Sequence, residues 1–319
     1  MPSGFPFAEG RKNLYKERCK LKGEFLNNGI RLRWLNTAGF EIEMSNGKHI
    51  LLDPFLNADI QGIPCWPISV DEIQRCDYLC LSHIHFDHAA DVGTIQKQFP
   101  GTYIFCPALS VDPLCQAQDL NCARIFPVRG GDKFQFDDVT IEVFAGRHTE
   151  SPRGYRPSGK DFVLPDGTPD SVMWFGNVEL VNYLITTNDG TRILVWAGMT
   201  SPDQKYRFCG VKPNIALMHV SPKQSFEAFA ALTSAMGTQV IIPHHYDCSE
   251  ILFEAVPDML NDISDANKKT FVVDGKFSFP RYMKALEAAC REKNPGAALI
   301  VPEHHKWYRF GFCCAGPEE

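Results

Sequence analysis

The sequence runs Cys80-Leu81-Ser82-His83-Ile84-His85-Phe86-Asp87-His88 directly after an apolar segment, and so places three histidines and one aspartate within six positions. A buried neutral histidine costs free energy unless both ring nitrogens find hydrogen-bonding partners. Several imidazoles in one turn are hard to satisfy in this way without a cation. The stretch therefore predicts a metal-binding loop that leaves a buried strand.

Two further histidines occupy the same local setting. His148 and His245 each follow a predicted apolar strand and begin a loop. Loops at the ends of core strands can converge on one edge of a sheet sandwich. His83 and His85 are two residues apart, so an extended backbone turns both toward one side. Together with His148 they make three neutral imidazoles, a set that suits Zn²⁺ with an open position for water.

A second cation is predicted a few ångströms away, as in two-metal hydrolases, with Asp87, His88 and His245 as its ligands. Mixed nitrogen and oxygen ligands fit zinc, manganese or iron and do not choose among them. We therefore expect one or two Zn²⁺ ions, with Mn²⁺ or iron as alternatives. Asp53, which ends an apolar strand in the pair Asp53-Pro54, is either a carboxylate that supports the ligands or a plain strand stop. The remaining histidines are expected to be structural or exposed: His49, His219, His244, His304 and His305.

Residues 149–176 are rich in proline and glycine and interrupt the pattern of strands. A long irregular segment in a compact domain is usually a lid or binding loop, or else it is disordered. Because this one directly follows the predicted ligand His148, we favour a lid. Four basic side chains near His148 or in this segment are candidate contacts for a substrate carboxylate or phosphate. The alternative is that they are solvated loop charges: Arg147, Arg153, Arg156 and Lys160.

The pattern of strands and helices predicts the architecture. Segments 31–35 and 40–44 alternate between apolar and polar residues, and residues 45–48 are predicted to form a β-hairpin turn that leads to the strand at 49–52. Helices are predicted at 91–99 and 107–121, and a short one at 70–73 with Asp71 as its cap. β-rich hairpins with single helices occur once in each half, which predicts an α+β fold of two mixed sheets facing each other with helices outside.

The composition restricts the domain organisation and the partners. A chain of 319 residues with 44% hydrophobic residues can form one large domain, and no linker is visible, so we predict a single domain over 1–319. Residues 1–29 are predicted to form a peripheral N-terminal extension, either an oligomer arm or a solvated tail. The net charge of −6 disfavours nucleic acid and suits a small-molecule substrate.

The twelve cysteines include no Cys-x-x-Cys pair, which argues against a zinc ribbon or a redox dithiol. No segment resembles a signal peptide or a membrane span. A cytoplasmic protein with free thiols and without a membrane partner is therefore expected. A homo-oligomer is also expected.

These motifs resemble the metallo-β-lactamase superfamily, over a match that runs from about Ile30 to Tyr246: His-x-His-x-Asp-His after a strand, a later strand-terminal histidine, and a strand ending in histidine. The segments 35–40, 51–55 and 242–246 are similar to the branch that contains L-ascorbate-6-phosphate lactonase. That branch usually ends in Pro-x-His-Tyr, which favours His245 over His244.

The resemblance implies a four-layer αβ/βα sandwich with a one- or two-metal site at its edge. It also implies hydrolysis by a metal-bound hydroxide. Asp87 and His88 are then the expected catalytic residues, with Asp87 orienting or deprotonating the attacking water. A small anionic substrate, such as a lactone, ester, amide or phosphodiester, is expected.

One position departs from the family. The resemblance implies a Gly-Asp pair after the strand at 193–196, whose aspartate bridges the two metals, but this sequence has Gly198-Met199. A thioether does not bridge hard cations as a carboxylate does. Either one metal is strongly bound, or Asp203 or a substrate atom completes the second site. The alternatives to a hydrolase are a lyase, isomerase or redox metalloenzyme, and a binding protein on the same fold.

Overall fold

The computed structural model describes residues 29–57, 59–60, 63–148, 179–200 and 204–312. Its strands are β1 (Ile30–Trp34), β2 (Phe40–Glu43), β3 (His49–Leu52), β4 (Asp59–Ile60), β5 (Ile63–Pro64), β6 (Tyr78–Cys80), β7 (Tyr103–Pro107), β8 (Ile125–Val128), β9 (Lys133–Gln135), β10 (Val139–Ala145), β11 (Val181–Thr187), β12 (Arg192–Trp196), β13 (Ile215–His219), β14 (Val240–His244), β15 (Val272–Val273), β16 (Lys276–Phe277), β17 (Ala298–Leu299) and β18 (Trp307–Phe310).

Its α-helices are α1 (Phe86–Ala89), α2 (Val92–Gln98), α3 (Val111–Gln118), α4 (Gln204–Arg207), α5 (Phe226–Met236), α6 (Asp247–Ala255), α7 (Asp265–Phe271) and α8 (Phe279–Lys293). Short 3₁₀ helices lie at Val70–Glu72, Ala108–Ser110, Cys122–Arg124 and Pro257–Asp262. Among the described residues, no helix is both long enough and apolar enough to cross a membrane.

Two seven-stranded sheets form the framework. The first has the strand order β18-β1-β2-β3-β6-β7-β8 and the second β17-β14-β13-β12-β11-β10-β9. Each sheet is mixed, because β3, β6, β7 and β8 run parallel in the first, and β12, β13, β14 and β17 in the second. The carboxyl ends of parallel neighbours meet at one edge of a sheet, where ligand-binding loops commonly gather.

The first sheet is buried on both faces, and its alternating side chains show this. Ile50 and Leu52 of β3 belong to the large core, whereas Leu51 between them belongs to a separate cluster. Successive side chains of a strand point to opposite faces. The large core also holds residues of the second sheet, such as Ile141 and Tyr183. The two sheets therefore face each other across this core.

The helices cover the outer faces of the two sheets. Residues of α2 and α3, including Ile95 and Leu114, join the cluster on the far side of the first sheet. Leu232 of α5 and Leu286 of α8 pack with residues of the second sheet. The predicted α+β sandwich of two mixed sheets with helices outside, in four layers, is confirmed. The prediction of a single domain stays a prediction.

Local boundaries differ from the sequence expectations at two places. The short helix at Val70–Glu72 is capped by Ser69, whose side chain accepts from the Asp71 N–H, so the prediction of Asp71 as cap was wrong. The helix predicted at 107–121 is shorter, because α3 ends where Asp119 takes a left-handed conformation with φ 53°. Aspartate tolerates that conformation better than most residues, which makes it a natural stop.

Candidate metal centre

The motif that follows β6 divides into a loop and a helix. His83 and His85 lie on the loop, and Asp87 and His88 lie in the single turn of α1. His83, His85 and His148 form one group of three donors, and the ligand atoms of this group lie within 4.8 Å of one another. The ring centroids of His148 are 4.9 Å from His83 and 4.5 Å from His85. The loop after β10 thus brings a histidine of the second sheet to the first.

A second group of donors lies beside the first. Asp87, His88 and His245 also present ligand atoms within 4.8 Å of one another. The Nε2 atoms of His88 and His245 are 3.1 Å apart, and Asp87 Oδ2 is 3.2 Å from His245 Nε2. The two groups adjoin, since the rings of His83 and His88 have centroids 4.0 Å apart. The two groups together offer ligands for two neighbouring cations at the edge between the sheets.

Asp53 supports the motif from the end of β3. Its carboxylate accepts hydrogen bonds from the Ser82 N–H at 2.6 Å and the Ser82 hydroxyl at 2.5 Å, and contacts His88 Nδ1 at 2.9 Å. The Ser82 hydroxyl in turn lies 3.0 Å from His83 Nδ1. These contacts orient the two imidazoles through their Nδ1 atoms and turn each Nε2 atom toward the other candidate ligands, a common arrangement behind metal ligands.

The backbone of the motif is also held by the second sheet. The Tyr183 hydroxyl donates to the Leu81 carbonyl at 2.6 Å, and the Val181 N–H donates to the Ser82 carbonyl at 2.9 Å. Both donors belong to β11. The start of the metal-binding loop is therefore fixed by the sheet that also carries His148 and His245.

The loop that carries His148 packs tightly against the end of β12. The Met199 N–H donates to the Arg147 carbonyl at 2.9 Å, next to His148. A Cβ atom on Gly198 would lie 2.2 Å from that same carbonyl oxygen, so only glycine allows this approach. Met199 is partly buried, and its backbone bonds to the residue that precedes His148. It therefore occupies the neighbourhood where the resemblance implies a bridging aspartate.

His245 reaches the site through an unusual backbone conformation. It has φ 68°, in the left-handed region that non-glycine residues seldom adopt. Its N–H donates to the Thr37 carbonyl at 2.9 Å, and the Thr37 hydroxyl donates to the Asp87 carbonyl at 2.9 Å. Strain of this kind persists where the surroundings impose it, commonly at functional sites. The adjacent His244 instead places Nε2 3.2 Å from the Trp196 carbonyl, within the core.

The electrostatic environment favours neutral His83 and His85 and an ionised Asp87. Burial, together with the nearby imidazoles, lowers the pKa of His83 well below its usual value and lowers the pKa of His85 to about 3. Burial acts to raise the pKa of Asp87, but His88 and His245 outweigh it and bring that pKa below its usual range. At His245 burial acts to lower the pKa, but the hydrogen bond with Asp87 outweighs it and raises that pKa. Neutral imidazoles and an ionised carboxylate are the forms that bind metal.

The residues present fit a cation. His85 Nε2 is buried and has no hydrogen-bonding partner, although an unpaired buried nitrogen is costly. The His88 and His245 rings face each other through Nε2 atoms, of which only a protonated one could donate. One divalent ion in each donor group would satisfy these nitrogens. Five imidazoles with one carboxylate suit zinc, iron or manganese better than calcium or magnesium.

The predicted site residues have different outcomes. The structure brings together the six predicted ligands, and Asp53 contacts His88 as a supporting carboxylate. Arg147 is exposed beside His148. The other predicted substrate contacts, the alternative ligand and the predicted lid lie outside the described residues: Arg153, Arg156, Lys160, Asp203 and 149–176.

One functional candidate was missed. His219, expected to be structural or exposed, is buried with its ring centroid 4.7 Å from that of His245. Its position at the end of a strand was the signal that could have identified it, since the other candidates share that setting. His49 instead contacts Glu41 at 2.7 Å from its Nδ1 atom, which agrees with the expectation of a structural role.

Comparison with known proteins identifies the family. A profile described as a beta-lactamase superfamily domain matches residues 48–246. The chain belongs to the beta-lactamase superfamily. This membership confirms the resemblance drawn from the motifs, and the matched range of this superfamily member includes all six donors.

Relatives of this superfamily member have been described as metal-dependent hydrolases. A UPF0173 metal-dependent hydrolase of Aeropyrum pernix is 25% identical over 227 residues, which cover 70% of this chain and 85% of the relative. Igni18, a metallo hydrolase of Ignicoccus hospitalis, has a TM-score of 0.57 at 16% identity, with 89% of this chain and 99% of Igni18 covered. CmlA, a diiron β-hydroxylase of Streptomyces venezuelae, has a TM-score of 0.57 at 12% identity, with 89% of this chain and 54% of CmlA covered. At these identities the two structures show a shared fold.

Proposed function

We propose that this protein is a metal-dependent hydrolase that acts on a small anionic substrate. The observation that carries the proposal is the pair of adjoining donor groups, one of three imidazoles and one of two imidazoles with a carboxylate. The description of relatives as metal-dependent hydrolases agrees with it. The proposed metal is zinc, and manganese or iron would also fit the donor set.

The proposed roles follow from the contacts. His83, His85 and His148 would hold one cation, and Asp87, His88 and His245 a second. Bound cations would supply Lewis acidity, lowering the pKa of water and polarising the bond to be cleaved. Asp87 is the proposed general base, because the lowered pKa of its carboxylate favours the ionised form and it lies in α1 beside His88 and His245.

The supporting residues would position the metal ligands and the substrate. Asp53 and Ser82 would keep His83 and His88 in the tautomers that bind metal. Arg147, exposed next to His148, is a proposed contact for a substrate carboxylate or phosphate, and Arg153 and Arg156 are proposed for the same role. The proposed substrates are lactones, esters, amides and phosphodiesters, with a lactone first. A cytoplasmic location and a homo-oligomer stay predictions.

The test of this proposal combines metal analysis with a substrate panel. We expect purified protein to contain about one or two equivalents of metal per chain and to hydrolyse a member of the panel, with both properties lost in His83→Ala/His85→Ala protein. The control is Arg291→Ala, a change at an exposed ion pair on α8, which should leave both properties unchanged. Full hydrolytic activity in the metal-free double variant would refute the proposal.

A redox metalloenzyme is the second candidate, and one observation favours it. Asp87, His88 and His245 make a set of two histidines and one carboxylate, which is typical of non-haem iron sites that activate oxygen. Elemental analysis separates the candidates. Coloured protein with stoichiometric iron and no hydrolytic turnover would favour the redox enzyme, and colourless protein with zinc and hydrolytic turnover would favour the hydrolase.

A further inference from the structure

His219 is the last residue of β13, at the edge where the candidate ligands gather. In the parallel pairing of β13 with β14, it lies opposite His244, the residue before His245. The side chain is buried, and its Nδ1 atom has no hydrogen-bonding partner. The only hydrogen bond at this residue outside the strand ladder uses its backbone carbonyl, which accepts from the Gln224 side chain at 3.1 Å in the described part of the chain. The Nδ1 atom of the imidazole is thus left unsatisfied.

The geometry relates His219 to the second donor group. Its ring centroid is 4.7 Å from that of His245, with the planes at 67°. Pairs within the candidate metal groups have similar spacing, at 4.6 Å for His83 with His85 and 5.1 Å for His88 with His245. Imidazoles that share a cation need such separations, because each nitrogen must reach about 2.1 Å from the ion.

The second group also has room for another donor. It contains one carboxylate and two imidazoles, and Met199 stands in the neighbourhood where a bridging carboxylate is implied. β13 lies between β12, which leads to Met199, and β14, which leads to His245. A donor at the end of β13 is therefore placed between the segment that lacks a ligand and the segment that supplies one.

We infer that His219 is a ligand of the second cation, together with Asp87, His88 and His245. The inference rests on the proposed metal site and extends it. A site of three imidazoles and one carboxylate takes a borderline transition metal, such as Zn²⁺, Co²⁺ or Fe²⁺, and discriminates against Mg²⁺. His219 lies outside the group whose ligand atoms are all within 4.8 Å of one another, so the inference requires its ring to turn toward the cation.

The experiment measures metal binding without relying on turnover. Wild-type protein, His219→Gln and His219→Phe are loaded with Co²⁺, and stoichiometry and affinity are followed by elemental analysis and by the visible absorption of the bound ion. His49→Gln is the matched control, since His49 is a buried strand histidine that contacts Glu41. Circular dichroism verifies that each variant is folded.

We expect wild-type and His49→Gln protein to bind two ions. Both His219 variants should retain the first ion and bind the second at least about 100-fold more weakly, with an altered Co²⁺ spectrum. Two ions bound with unchanged affinity and spectrum in the His219 variants would overturn the inference and leave the hydrolase proposal standing. If the wild type binds a single ion and the His219 variants bind it with the same affinity, the inference is also overturned and the hydrolase proposal stands. A wild type that binds no ion would refute the metal site as a whole.

A crystal structure of wild-type protein loaded with zinc supplies a readout that needs no substitution. The inference expects a His219 ring nitrogen about 2.1 Å from the second ion. An ordered second ion with the His219 ring turned away would overturn it, even if both variants failed to fold.

Discussion

Replacing Asp53 by asparagine isolates the contribution of one charge to the metal site. The carboxylate accepts from the Ser82 N–H and hydroxyl and contacts His88 Nδ1. Asparagine has the same shape and tolerates the left-handed backbone of Asp53, which has φ 38°. The amide oxygen can still accept from the Ser82 N–H, but the amide nitrogen then faces both the Ser82 hydroxyl and His88 Nδ1, and the charge-assisted hydrogen bond to His88 is lost.

The expected loss of metal affinity follows from the loss of the charge-assisted hydrogen bond between the Asp53 carboxylate and His88 Nδ1. A hydrogen bond to a charged group contributes about 1.5–3 kcal/mol. Because the bond holds His88 in the tautomer that binds metal, most of this amount should appear in metal affinity, as a loss of about 10–100-fold at the second ion. His83 should be affected less, because Ser82 lies between it and Asp53.

The assay is a competitive titration with a coloured zinc chelator, read separately for each ion. Asp91→Asn is the matched control, because the Asp91 carboxylate accepts from the Leu56 and Asn57 N–H groups. Loss of the Asp91 carboxylate should reduce the stability of the protein without weakening its metal affinity. Equal metal affinities in wild-type and Asp53→Asn protein would show that the carboxylate does not orient His88 as a ligand.

Three further predictions concern the framework of the site. Gly198→Ala should lower the free energy of unfolding by about 1–3 kcal/mol and reduce metal content, because its Cβ would meet the Arg147 carbonyl oxygen at 2.2 Å. Denaturant unfolding checks this prediction. The control is Gly101→Ala, because a Cβ atom at Gly101 would meet nothing within 4 Å. Tyr183→Phe should cost about 1–3 kcal/mol in the same assay, since the buried Leu81 carbonyl loses its donor, and an unchanged unfolding midpoint would contradict that. Chelation should abolish hydrolysis and lower the melting temperature until metal is restored, and a melting temperature independent of metal concentration would argue against a bound ion.

The fold was predictable because its signals are local. Alternating apolar residues identified the hairpins, and an apolar run ending in a histidine identified each strand that leads to the site. The strand order was not predictable in this way, since the pairing of β1 with β18 joins segments far apart in the chain. The end of the helix predicted at 107–121 was also missed, because the left-handed conformation of Asp119 leaves no periodic signal.

The site was predictable to the extent that spacing reveals it. His83, His85, Asp87 and His88 lie close together in the sequence, so their meeting follows from one turn of chain. His219 has no such neighbour, and a lone strand histidine is more often a core residue. Only the parallel register of β13 and β14 reveals that it ends beside His245, and register is a property of the folded sheet.

The pairing of β1 with β18 has a consequence for synthesis on the ribosome. The first sheet is completed by a strand that follows β1 by roughly 270 residues, and at translation rates of about 5–20 residues per second that strand emerges some 15–55 s later. Throughout this interval the β1 edge has unpaired backbone groups and can pair with another nascent chain. Slower translation of the second half should therefore increase the demand for chaperones, and a trigger-factor-like chaperone that covers β1 should improve the soluble yield.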